Sequence, residues 1–139
     1  MKINGSRFLL CLITVFGVMV LFDYVMHGVL LTPLYDKTTH LWRSEAEMLA
    51  YMPVSTLIQF VSGAFLTLLF IALNVGEGLW AGLRFGIFLG ILMAFSQLAI
   101  YPYMTMPLSI AASWFIGTIV ETILLCGLIS VIYKQHSDV

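Results

Sequence analysis

Residues 8–31 read FLLCLITVFGVMVLFDYVMHGVLL. Coiled as an α-helix, this stretch extends about 36 Å at roughly 1.5 Å per residue, more than a hydrocarbon core about 30 Å thick requires. It follows Lys2 and Arg7, as the apolar part of a secretory signal would. Three features argue for a permanent span instead: the run is too long for a signal core, it carries Asp23 and His27, and no small-residue cleavage pattern follows it.

Three further runs share its character. Residues 54–73 hold no charge, residues 79–100 hold only Arg84, and residues 108–132 hold only Glu121. Between the second and third lies Asn74-Val75-Gly76-Glu77-Gly78, and between the third and fourth lies Tyr101-Pro102-Tyr103-Met104-Thr105-Met106-Pro107. Both connections are rich in helix breakers, and connections this short make the flanking helices antiparallel neighbours. The expected fold is all-α: a four-transmembrane-helix antiparallel bundle forming one domain over residues 1–139. Its spans fall at about 8–31, 54–73, 79–100 and 108–132, with an outer loop at 32–53.

Composition agrees. Of 139 residues, 61% are hydrophobic and 9% charged, where a soluble domain carries about a quarter charged residues. Such a chain cannot cover itself with a water-facing surface, so the lipid bilayer is its expected partner. A formal net charge of −1, with six Lys plus Arg scattered along the chain, offers no basic patch for a phosphate backbone, and nucleic acid is not expected. Cys11 and Cys126 lie inside apolar runs and form no C-x-x-C pair, so they read as small buried residues.

The loop at 32–53 carries much of the charge, including Asp36, Lys37, His40, Arg43, Glu45 and Glu47. Within it, Ser44-Glu45-Ala46-Glu47 has capping-box spacing and predicts a helix start leading toward the second span. Tyr35, Trp42, Tyr51, Tyr101 and Tyr103 fall at one interface, and Trp80 and Tyr133 at the other, as an aromatic belt requires. Lys2, Arg7 and Lys134, with Arg84 near them, outnumber Lys37 and Arg43, which places both termini in the cytoplasm.

Gly78, Gly82, Gly86 and Gly90 recur every four residues in the third span, and Ala94 continues the series. Helices in lipid associate through close packing, so a stripe of small residues marks a contact face. The expected contact is a neighbouring span of the same chain, with a homodimer or a partner membrane protein as the alternative. A second regularity sets Pro53 over Pro107, Phe60 over Trp114 and Gly63 over Gly117, a faint likeness between the halves.

The polar residues inside the spans need a reason, because Asp or Arg at a helix centre costs roughly 2.5–3.5 kcal/mol on insertion scales. Asp23 and His27 stand four residues apart on one face and can touch, so the carboxylate can orient the imidazole. Counting along the helix puts them about 5 and 10 Å from the midplane. Gln59, Gln97, Ser96 and Ser113 reach a similar level, and Glu121 lies near the middle of the last span, where a carboxylate must be protonated or paired. Asp23, His27 and Glu121, with Gln59 and Gln97, are therefore the candidate ligand- or proton-binding residues. Arg84 can extend its stem toward Glu77 or lipid phosphate. Met104, Met106 and His40 offer thioether and imidazole groups of the kind Cu(I) takes, set against methionine's routine use as apolar filler; no metal and no cofactor is expected.

The segment Phe22-Asp23-Tyr24-Val25-Met26-His27-Gly28-Val29-Leu30-Leu31, followed by Tyr35, Leu41-Trp42-Arg43 and Gly82-Leu83-Arg84-Phe85-Gly86, resembles a group of small, uncharacterised bacterial four-span membrane proteins of the domain-of-unknown-function kind. The likeness spans most of the chain. It implies the fold and a multi-pass place in the bacterial inner membrane, and no activity.

These residues lead first to a non-enzymatic binding or transport module with an outward-facing polar pocket for a proton, cation or small polar ligand. The second reading is a membrane-embedded enzyme acting on lipid or quinone with His27 as general base, though no nucleophile motif, metal-ligand set or phosphate loop accompanies it. The third is an accessory or scaffold subunit docking through the glycine stripe.

Overall fold

The computed structural model describes residues 3–133, so Lys2 and Lys134 of the orientation argument lie outside the described residues. Five α-helices, four of them long, make up most of it, and there is no strand among the described residues. Helix α1 covers Gly5–Val25 and is capped by Asn4, whose side chain accepts from the Arg7 N–H at 3.2 Å. It runs on into a π-helical turn over Met26–Leu30, where the Leu31 N–H donates to the carbonyl of Met26 at 2.9 Å. A one-turn helix, α2 (Thr32–Tyr35), and a 3₁₀ segment (Asp36–Leu41) then lead to α3, Glu45–Ala72. Helix α4 covers Leu79–Leu98, and α5 covers Leu108–Ile132. Four helical stretches, Gly5–Leu30, Glu45–Ala72, Leu79–Tyr103 and Leu108–Ile132, are long and apolar enough to cross a membrane.

The connection at 32–53 differs from the expected loop. Ser44 and Glu47 form both halves of the capping box, with the Glu47 carboxylate accepting from the Ser44 N–H at 3.0 Å. That pairing starts α3 at Glu45, and the helix continues through Pro53. Proline removes one backbone donor, but a chain leaving water for an apolar medium does better keeping every other backbone bond inside a helix than opening into a loop. Short helical turns likewise replace loop over 32–41.

Helix α1 packs between α3 and α5, α5 pairs along its length with α4, and α3 meets α5 only narrowly. The glycine stripe makes the α4–α5 pairing close. A Cβ on Gly82 would strike the carbonyl of Cys126 and the hydroxyl of Ser130, one on Gly86 would lie 2.7 Å from Cα of Ile123, and one on Gly90 would lie 3.1 Å from Cα of Ile119. Ala94, fully buried, continues the face. Gly78 takes a different part: a Cβ there meets nothing within 4 Å, but its φ of +89° suits glycine, and its N–H donates to the Ser130 carbonyl at 3.3 Å. The stripe is thus three glycines and an alanine, with Gly78 shaping the turn into α4.

Apolar packing is concentrated at the two ends of the molecule. At one end Cys11, Val15, Phe70, Ile71, Leu125, Cys126, Ile129 and Tyr133 form a core, and the Tyr133 hydroxyl accepts from the Asn4 N–H at 3.1 Å. Both cysteines are buried there as free thiols. At the other end Met106, Ile110 and Ala111 pack with Leu34, Leu41 and Trp42 among others. Met106 is therefore a core residue with Met104 against it, whereas His40 is exposed on the 3₁₀ segment.

Candidate polar cleft between α1, α4 and α5

Between these two cores the facing surfaces of α1 and α5 are polar. Asp23 and His27 project from α1 and its π-turn, and Trp114, Thr118 and Glu121 recur on α5 at helical spacing. Gly117 lies where α5 crosses α1, and the nearest atom to a Cβ there would be the terminal methyl of Met26 at 2.9 Å. Asp23, His27, Trp114, Thr118 and Glu121, joined by Gln97 of α4, line a cleft of about 90 Å³. A space of that size with this many polar walls holds several waters or a small ligand.

Four of the five residues singled out from sequence, Asp23, His27, Gln97 and Glu121, share this cleft. Gln59 approaches from α3, where its amide Nε2 donates to Oδ2 of Asp23. The other carboxylate oxygen, Oδ1, faces Nε2 of His27 at 4.0 Å, close enough for electrostatic attraction and too long for a direct hydrogen bond. Gln97 accepts from the Thr118 hydroxyl at 2.5 Å, which ties α4 to α5 at the cleft wall. Ser96 and Ser113 do not join: each bonds back to its own helix, at the carbonyls of Leu92 (3.0 Å) and Ser109 (2.8 Å). Arg84 is exposed on α4, away from the cleft lining.

The other ring nitrogen of His27 makes the contact that sequence reasoning missed. Nδ1 stands 2.6 Å from the hydroxyl of Tyr35 on α2, and the same hydroxyl accepts from the indole N–H of Trp114 at 2.8 Å. Tyr35 therefore bridges two residues of the cleft lining, His27 after α1 and Trp114 on α5. Its ring lies parallel to that of His27 with centroids 6.0 Å apart and edge-on to Trp42 at 5.2 Å. Trp42 is held in turn by its indole N–H, which donates to the Thr38 hydroxyl at 3.0 Å. Burial raises the phenol pKa of Tyr35 above its ordinary value, against the opposing pull of the Trp114 bond and with the Asp23 carboxylate adding to the rise, so the group remains a neutral hydroxyl.

The sequence did carry one signal for this cluster. A tryptophan or tyrosine in an apolar setting needs a partner for its polar tip, and Trp114 stands in the second turn of α5 within an apolar run. Nothing local pointed to Tyr35, because it lies eight residues beyond His27, past a π-turn that breaks the helical register.

The described residues contain no group of three or more His, Cys, Asp or Glu side chains placed to hold a metal ion. No family model matches the chain, and neither a curated protein nor a solved structure matches it.

Proposed function

We propose that this protein is a small binding or transport module of the bacterial inner membrane whose cleft accepts a proton, a cation or a small polar ligand. In this reading the four long helices form an antiparallel bundle with both termini in the cytoplasm and the cleft open toward the outer side. Two observations support the antiparallel arrangement: the contacts of Gly82, Gly86 and Gly90 fall on successively earlier residues of α5, and Asn4 meets Tyr133. The balance of Lys and Arg supports the orientation.

The observation that carries the functional reading is the convergence of two carboxylates, Asp23 and Glu121, on one cleft inside otherwise apolar helices. Carboxylates at that depth are costly unless neutralised, and among the described residues no Lys or Arg lines the cleft, so a proton or an incoming cation is the fitting occupant. The enzyme reading stands second because the imidazole of His27 is oriented by protein groups on both sides, with Nδ1 bonded to the Tyr35 hydroxyl at 2.6 Å and Nε2 turned toward Asp23 at 4.0 Å. The scaffold reading stands third because α5 covers the glycine stripe.

Purified protein in liposomes should mediate proton or cation flux, and Asp23→Asn and Glu121→Gln should each remove it. Flux that is unchanged in both variants overturns this function.

A further inference from the structure

Resting on that reading of the cleft, we infer that the species it handles is the proton, delivered to Asp23 along an oriented hydrogen-bond chain running from Tyr35 through His27. The direction of the chain follows from what each atom can do. The Trp114 indole N–H is a donor only, so the Tyr35 oxygen must accept from it. An ionised Asp23 accepts only, and its Oδ2 already accepts from Gln59. Oδ1 then favours a proton on the His27 nitrogen that faces it, Nε2. A neutral imidazole with its proton on Nε2 has a bare Nδ1, which must accept, and the Tyr35 hydroxyl at 2.6 Å supplies that bond. Every group has one consistent role: Trp114 donates to Tyr35, Tyr35 donates to His27, and His27 directs its remaining proton toward Asp23.

This arrangement moves a proton without leaving a charge on the wire. Tyr35 has one lone pair left beyond the one facing Trp114, and an incoming hydronium ion protonates it there. The Tyr35 O–H bond breaks as the Nδ1–H bond forms, and the Nε2–H bond breaks as a proton joins Oδ1 of Asp23. Water in the cleft closes the 4.0 Å gap for that last transfer. Tyr35 and His27 end neutral and Asp23 ends protonated; the imidazole returns to its first tautomer as cleft water gives a proton to Nε2 and the hydroxide so formed takes the one on Nδ1, and the Tyr35 hydroxyl turns back toward Nδ1. Glu121, on the same cleft, is the next carboxylate within the membrane. The titratable groups around His27 are thus Asp23 on its own helix, Tyr35 on α2 and Glu121 on α5, while α3 and α4 contribute the amides of Gln59 and Gln97. Tyr35 and Trp114 act as relay and positioning residues.

The test joins flux to a direct reading of the tautomer. Full-length protein in phosphatidylethanolamine–phosphatidylglycerol vesicles, driven by a potassium diffusion potential, should acidify a trapped pH dye. Tyr35→Phe, which keeps the ring and removes the hydroxyl, should slow acidification by about tenfold or more. Nitrogen-15 NMR of His27 should place the proton on Nε2 in the native protein and show a mixture of tautomers in Tyr35→Phe, which reads the hydrogen-bond direction the relay requires, while the flux reads the transfer itself. Native protein with the His27 proton on Nδ1, or a Tyr35→Phe variant that conducts normally, overturns the relay, and the first of these needs no variant to fold. If native vesicles take up sodium or tetramethylammonium in a manner lost in Asp23→Asn yet move no protons, the relay falls and the wider reading of the cleft stands. If they move neither, both fall.

Discussion

Helix α5 faces two ways, and its two contacts are built on opposite principles. Toward α4 it presents backbone: the positions opposite Gly82, Gly86 and Gly90 lie so near that added methyls would meet main-chain or Cβ atoms of Thr122, Ile123 and Cys126 among others. Toward α1, beyond the core they share at one end, it presents Trp114, Thr118 and Glu121 across a polar cleft, and its glycine there, Gly117, meets the flexible end of Met26. The first contact has no room to adjust, since neither helix backbone can yield without parting from the other. The second is closed by side chains that can turn. In a bilayer, where apolar surface gains nothing by meeting apolar surface, close van der Waals packing holds helices together, so the α4–α5 seam is the tightly packed contact and the α1–α5 cleft the one with open space.

This contrast breaks most readily at Gly86. Gly86→Ala would set a methyl 2.7 Å from Cα of Ile123, and we expect a loss of about 2–3 kcal/mol, the upper range for overpacking; thermal unfolding in detergent measures it, and an unchanged midpoint would undo the distinction between the two faces. Gly117→Ala is the matched experiment on the cleft side. There the Met26 methyl can move aside, and the usual helix gain of about 0.5–1 kcal/mol for replacing glycine with alanine offsets the crowding, so the net change should stay under about 1 kcal/mol. Thr118→Val removes the hydroxyl that bonds Gln97 at 2.5 Å, and an average interhelical bond of this kind in lipid is worth about 0.6 kcal/mol; a loss several times larger would make the cleft wall a structural element. Smallest of all, Glu121→Gln should shift stability by no more than about 0.5 kcal/mol while abolishing flux. A large loss of stability there would assign Glu121 to the fold.

Sequence and structure agree most closely where the signal is local. The capping box at Ser44 to Glu47, the turn glycines at 76 and 78 and the small face of α4 are all readable as spacing, because each depends on neighbours within a turn or two. Agreement fails where a local reading had competing outcomes. Pro53 reads as the end of a loop, yet α3 passes through it because an uninterrupted helix satisfies more backbone groups than a break would. Ser96 and Ser113 read as pocket residues by depth, yet a hydroxyl near its own helix finds the carbonyl four residues back before it finds a neighbour. Gly63 and Gly117, paired by the faint likeness of the halves, do both lie where their helices cross α1, but against Val15 and Met19 in one case and Met26 in the other.

Four apolar helices were determined by the chain alone, since length and hydropathy are sums over consecutive residues and need no partner to take effect. Which helices adjoin, and hence that α1 lies between α3 and α5 with Tyr35 drawn to His27 and Trp114, was decided only by the tertiary structure. Those contacts depend on how far each helix is rotated about its axis, and in lipid that rotation is set by side-chain fit between distant segments rather than by any run of residues.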